Sequence, residues 1–250
     1  MDYNIEIEKG RGSGMTEFRG LSGNALKIIA AVCMVIDHVG VMFFPYATGL
    51  RILGRLAFPI FAFMIAEGCR YTKNRGRYLG MLAALAAVCQ VTYYLTSRDL
   101  YMCILVTFSL SILVIIPLQN LKAARTGAQR LLWGAVAAGA VAGVWLLNRW
   151  LTVDYGFWGS MVPVFVALLQ GRGKETAGPW DRTWVHVLML GVGLLLLALD
   201  MGGVQMYSLA AVPLLLLYSG RRGKWKMKYF FYVFYPAHLV LLQGLQSVLK

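Results

Sequence analysis

Residues 21–44 read LSGNALKIIAAVCMVIDHVGVMFF, and this stretch decides the fold. It is about as long as the roughly 20 apolar residues a helix needs to cross hydrocarbon. Yet it holds Lys27 near its start and Asp37 with His38 past its middle. The residues before it, MDYNIEIEKGRGSGMTEFRG, are polar, so a cleaved signal peptide is not expected. Beyond it, apolar blocks recur at about 52–69, 78–95, 101–121, 131–151, 157–170, 183–199, 204–219 and 228–249.

Composition agrees. The chain has 250 residues, 59% hydrophobic and 14% charged, with a mean hydropathy of +0.63. Soluble domains average roughly 45–50% apolar and about 25% charged. A single core of this size cannot hide that excess, and disordered, collagen-like and disulfide-scaffold classes are excluded as well. The expectation is an all-α, polytopic transmembrane helix bundle of about nine spans (8–10). Residues 1–20 form a polar leader, and 21–250 a single domain. The 157–170 block is the shortest, and a re-entrant path is open to it. The net charge of +13 is read as loop charge in a membrane protein, with no nucleic-acid partner. Cys33, Cys69, Cys89 and Cys103 lack CxxC spacing and read as buried thiols.

Loop charge tests the block count. The second, fourth, sixth and eighth connections carry Arg70, Lys73, Arg75 and Arg77; Lys122, Arg125 and Arg130; Arg172, Lys174 and Arg182; and Arg221, Arg222, Lys224, Lys226 and Lys228. The other connections carry Arg51, Arg98 and Arg149, with Lys250 at the end of the chain. Positive-inside sorting produces this alternation, with the N-terminus in the cytoplasm and the last helix ending outside. Gly139 and Gly143 have the spacing that lets two helices approach closely. No Walker or dinucleotide fingerprint occurs.

Ionisable residues at membrane depth are costly and face a bundle interior or a wet cavity. Lys27 and His38 are eleven positions apart, which at 100° per residue returns to within about 20° of one face and separates them by roughly 16 Å. A long ligand anchored by phosphates at Lys27 would reach His38 with its other end. Imidazole titrates near neutrality and suits a general base. Asp37 points about 100° away from His38, toward a neighbouring helix. In GRLAFPIFAFMIAEG, Arg55 and Glu67 lie toward opposite ends, with Pro59 expected to free a backbone carbonyl and kink the helix. Arg55 is placed to orient Asp37 or to stabilise an oxyanion, and Glu67 to pair with the basic segment after it. Asp154 and Tyr155 mark an outer entrance in VDYGFWG, and Tyr235, Pro236 and His238 lie in the last helix, where His238 can approach His38. Arg70, Lys73, Arg221, Arg222 and Lys224 are candidate ligands for a polyphosphate on the cytoplasmic face. His186, beside Trp184, reads as part of an aromatic belt, and three dispersed histidines give no metal site.

The segments LSGNALKIIAAVCMVIDHVG, LRILGRLAFPIFAFMIAEGCRYTKN, VDYGFWG and GKWKMKYFFYVFYPAHL together resemble the TraX family, named for the F-pilin acetylase of bacterial conjugation. The resemblance runs from about Leu21 to the C-terminus and is thin between Lys122 and Leu151. It departs at Met102, where the family pattern leads with asparagine and a polar contact from the fourth block would begin. The resemblance implies a multi-pass protein of a bacterial inner membrane that transfers acetyl from acetyl-CoA, as co-substrate and without a metal, to a pilin N-terminus. It also implies kinship with wider membrane acyltransferases, in which a basic residue stands eleven positions before an essential histidine, as Lys27 does before His38. By this resemblance His38 is the essential histidine, Asp37 its companion, Arg55 part of Gly-Arg-x-Ala-Phe-Pro, and His238 part of Tyr-Pro-x-His. The acceptor partner is then a pilin-like protein, a peptide or an extracytoplasmic glycan, with membrane lipids around the bundle. A proton-coupled transporter is the rival reading, since intramembrane Asp, His and Glu also build proton relays. A passive component of a secretion apparatus is a third.

Overall fold

The computed structural model describes residues 20–171, 177–224 and 228–249. Nearly all of the polar leader lies outside these, as do Arg172, Lys174, Lys226 and Lys250. The elements are α1 (Gly23–Phe43), α2 (Thr48–Gly54), α3 (Ala57–Tyr71), α4 (Arg75–Ser97), α5 (Ile104–Ala123), α6 (Gly127–Trp150), α7 (Gly156–Leu169) and α8 (Thr183–Met201). A 3₁₀ helix (Gly203–Ala210) then runs into α9 (Ala211–Leu216), and α10 (Lys228–Leu249) follows. All nine expected blocks are helical. Among the described residues six segments are long and apolar enough to cross a membrane, with α2 and α3 counting as one (Thr48–Tyr71). The apolar helices Gly156–Leu169, Gly203–Leu216 and Val233–Leu249 are shorter.

Local chemistry sets the boundaries. The Ser22 side chain accepts from Ala25 N at 3.2 Å, and Asn74 accepts from Arg77 N at 2.9 Å, so α1 and α4 begin on N-caps. Thr126 and Gln129 make a capping box for α6. The break between α2 and α3 falls at Arg55 and Leu56, upstream of Pro59. Proline has no N–H, and its ring crowds the carbonyl four residues back. That carbonyl is Arg55's, and there the α-helical ladder gives way to a short turn in which Arg55 and Leu56 keep right-handed helical angles.

Connections sort to two ends of the bundle. At one end Leu21 N donates to Leu217 O at 2.7 Å, Ser219 N donates to Leu21 O at 2.9 Å, and Arg70 bonds Asp181 at 3.0 Å. Here too Lys122 Nζ, from the end of α5, donates to the carbonyls of Ala167, Leu168 and Gln170 at 2.6–2.9 Å. Those carbonyls close α7, and a cation among them answers the negative end of its dipole. At the far end Met102 pairs with Val153 in an isolated bridge. The described parts of the even-numbered connections thus gather at one, basic end.

The core is built on α7, which packs between α8, α5 and α3. Met161, Val162, Val164, Val166 and Ala167 meet Ile112, Ile115, Leu190, Leu194 and Phe63 in one buried cluster. The 157–170 block is therefore the central helix, one continuous element from Gly156 to Leu169, and the re-entrant path left open to it is not seen. By contrast α6 buries only Val144, and a Cβ added at Gly139 or Gly143 would meet nothing within 4 Å. Among the described residues no helix makes the close approach that this spacing allows. Exposed Val88, Leu131, Trp145 and Leu241 on α4, α6 and α10 form apolar surface of the kind lipid covers.

Candidate active site

Asp37 and His38 lie one and a half turns before the end of α1, and adjacency turns their side chains to different neighbours. Asp37 faces the α2–α3 break. Arg55 Nη2 donates to both of its carboxylate oxygens at 3.0 Å, and Arg51 Nη1 donates to Oδ2 at 3.1 Å. Arg55 Nη1 reaches on to Gln205 Oε1 at 3.2 Å and to the Tyr155 hydroxyl at 3.3 Å. Its Nε–H is buried with no acceptor. One guanidinium therefore links α1, the α2–α3 break, the 3₁₀ helix and the start of α7.

The room for this pair is made by Gly54, where an added Cβ would collide with the Asp37 side chain. We expect Gly54→Ala to lower stability by about 1–3 kcal/mol, the usual cost of overpacking, as the Asp37 side chain shifts within its contacts. Thermal melts in detergent should show this, with Gly80→Ala as control. Nothing lies within 4 Å of a Cβ at Gly80, so that change should be neutral or slightly stabilising.

His38 turns away from Asp37. Its Nδ1 lies 2.8 Å from Met34 O. A carbonyl only accepts, so Nδ1 carries the proton and the neutral ring has its lone pair on Nε2. From α10, His238 repeats the arrangement, with Nδ1 3.0 Å from Phe234 O. The two imidazoles meet edge to face, their centroids 5.1 Å apart. Tyr235 adds an edge contact to His238 at 5.5 Å, and Gln246 Nε2 ties α10 to Met42 O at 3.1 Å.

The 152–155 segment closes the far end. Asp154 N donates to Met102 O at 2.9 Å, Thr107 Oγ1 donates to Asp154 O at 2.7 Å, and the Tyr101 hydroxyl donates to Asp154 Oδ1 at 2.6 Å. Polar contacts do come from this region despite the departure at Met102. Tyr155 has φ 58°, in the left-handed region, and stacks on Phe58 at 4.1 Å. Gly159 leaves space for it, since a Cβ there would collide with Tyr155. Burial pushes the Tyr155 phenol up, with the Asp154 carboxylate adding to the effect, so its hydroxyl stays protonated.

Burial also raises the Asp154 carboxyl, against the pull of Tyr101 and Arg55. The folded chain then holds this proton more tightly than the unfolded one. The stability it contributes is full below the unfolded value, about 3.9, and is lost as pH rises toward the folded value. Asp154→Asn, a mimic of the neutral acid, should melt higher than wild type near neutral pH, and the gain should vanish in acid.

Asp37, His38, Arg55, Tyr155, Tyr235 and His238 thus come together at the far end, with Asp154 beside them. The remaining sequence candidates lie at the basic end. Lys27 is half-buried and close enough to Arg222 for their charges to interact. Arg221 and Arg222 accept the Gly23 and Asn24 N–H groups on their carbonyls, and their side chains are exposed, as are those of Lys73 and Lys224. Arg70 lies here too, its guanidinium held by Asp181 at 3.0 Å and Glu67 at 3.9 Å. Glu67 also accepts from Gln170 Nε2 at 2.8 Å. His186 is a correction: it is 1% exposed and lies 3.0 Å from Asp181, inside the bundle and not in an aromatic belt. The sequence reading missed Asp181, Gln170, Gln205 and Gly54. Among the described residues no group of three or more His, Cys, Asp or Glu side chains is placed to hold a metal ion.

A family model described as TraX protein matches residues 22–246. The chain belongs to the TraX family. Its curated relatives include a probable fimbrial assembly protein FimC, serogroup H1, of Dichelobacter nodosus, 27% identical across 90% of this chain and 96% of that one. An uncharacterized protein of Rickettsia prowazekii (strain Madrid E) is 32% identical over 77 residues, 30% of this TraX-family chain and 31% of its own. No solved structure matches. The matched region takes in every residue of the Asp37–Arg55–His38–His238 cluster.

Proposed function

We propose that this TraX-family protein is an acetyltransferase of a bacterial inner membrane. It would move acetyl from cytoplasmic acetyl-CoA to an amine on the outer side, a pilin-like N-terminus being the favoured acceptor. The carrying observation is His38: its proton is fixed on Nδ1 by Met34 O at 2.8 Å, which leaves the Nε2 lone pair available. The fimbrial assembly relative supports a pilin-like acceptor. Positive-inside sorting assigns the basic end to the cytoplasm. With it go the three shorter apolar helices as further crossings.

In this reading CoA phosphates bind Lys27, Arg221, Arg222, Lys224 and Lys73, and the pantetheine arm runs up the α1 stripe toward His38. The acceptor nitrogen attacks the thioester carbonyl, and His38 Nε2 takes its proton. The oxyanion is met by the Arg55 Nε–H, whose companion nitrogens are fixed on Asp37, Tyr155 and Gln205. The carbon–sulfur bond then breaks, and His38 returns the proton to the CoA sulfur. An extracytoplasmic glycan hydroxyl would follow the same path.

The test is purified protein in detergent with acetyl-CoA, read by melting temperature and thioester loss. Ligand at a hundred times its Kd should stabilise by about 2.7 kcal/mol, and an amine should accelerate thioester loss. Folded protein that neither binds nor consumes acetyl-CoA would overturn the reading and put proton-coupled transport first.

A further inference from the structure

We propose that His238 is a second catalytic base, which takes a proton from the acceptor ammonium through its Nε2 atom before His38 acts. This rests on the acetyl-transfer reading. His238 is 5% exposed, and its Nδ1–H is spent on Phe234 O at 3.0 Å. Its Nε2 is buried without a partner. An orphaned buried acceptor costs about 1–3 kcal/mol, and a phenylalanine would fill the same space against Phe234 and Tyr235 without that cost. A packing role therefore accounts for the ring and the Nδ1–H but not for the bare Nε2. Its neighbour across a 5.1 Å contact is His38, which carries its proton on the equivalent nitrogen. The other ionisable groups nearby are Tyr235 on the same helix and, beyond it, Asp154, Tyr155, Cys89 and Cys103.

Two lone pairs match the proton count of the reaction. An aliphatic amine arrives from water as R–NH₃⁺ and must lose two protons to become an amide. His238 Nε2 takes the first, giving R–NH₂ and an imidazolium. The free amine then attacks the thioester, His38 Nε2 takes the second proton, and that proton leaves with CoA as the thiol. The His238 imidazolium releases its proton to water on the acceptor side. The sum is R–NH₃⁺ and acetyl-CoA going to R–NH–acetyl, CoA thiol and one proton.

The experiment compares wild type with His238→Asn, whose amide N–H can still reach Phe234 O, and with His238→Gln. The acceptors are butylamine, an ammonium at neutral pH, and aniline, which is neutral there. Both variants should lose about 10²-fold in kcat with butylamine at neutral pH, with the KM for acetyl-CoA unchanged. The deficit should shrink with aniline and as pH rises. An equal deficit for both amines at every pH, or none, would overturn the proposal while leaving acetyl transfer standing. Folded wild type that acetylates neither amine would overturn both. ¹⁵N NMR of the wild-type histidines is a check that needs no variant: the Nδ1–H tautomer is expected at His238, and Nε2–H would exclude it as a base.

Discussion

A His38→Ala chain should fold, bind acetyl-CoA and fail to transfer acetyl. General bases contribute about 10²–10⁴-fold to rate, and a loss in that range is expected in kcat with little change in KM. The ring is half-buried and makes one hydrogen bond, to its own helix. Its removal should therefore cost about 1 kcal/mol of stability, an ordinary value for a point change. Melting curves with and without acetyl-CoA separate the two effects: the variant should show the wild-type ligand-induced shift while thioester consumption with an amine disappears. Full activity in His38→Ala would remove the base from the proposed chemistry.

The second large effect is on folding. Asp37→Ala strips the acceptor from three donor contacts, two from Arg55 and one from Arg51, while Arg55 remains 9% exposed. Removing one partner of a buried ion pair costs about 3–5 kcal/mol, because the other charge is left without compensation. Arg55→Met alone should cost a similar amount, since Asp37 keeps only Arg51 and the bonds to Tyr155 and Gln205 are lost as well. The double change Asp37→Leu with Arg55→Met should recover much of the loss, as apolar replacement of whole buried pairs commonly does. The coupling from this cycle is the informative quantity. A value near zero would mean that the cluster does not hold the α2–α3 break to α1. Unfolding of such proteins is often irreversible, so half-lives at fixed temperature are the sounder measure.

Much of this site was legible in the chain because charge at membrane depth has few excuses. Asp37 next to His38 had to point to another helix, and Arg55 was the cation at matching depth. His38 and His238 were legible as partners for the same reason. The basic end hid its structure. Arg70 sits in a run of cations that positive-inside sorting already explains, and Asp181 reads as a loop acid 111 positions away from it. Nothing local announces that the two meet, or that His186 joins them. The interruption at Arg55 was under-read for a different reason. Pro59 was visible, but its effect falls four residues upstream, on a carbonyl, where no side chain marks it.

The shortness of α7 has a physical outcome for the membrane itself. Its 14 residues rise about 21 Å, against a hydrocarbon layer of about 30 Å. A lipid-facing helix this short would thin the bilayer around it, but α7 is wrapped by α3, α5 and α8. The missing length is taken up by protein instead: Lys122, Gln170 and Glu67 below it, Asp154, Thr107 and Arg55 above. In the proposed reading, where α7 is one of the crossings, the apolar layer is therefore thinnest along the molecule's own axis, and the aqueous phases on the two sides come closest together there.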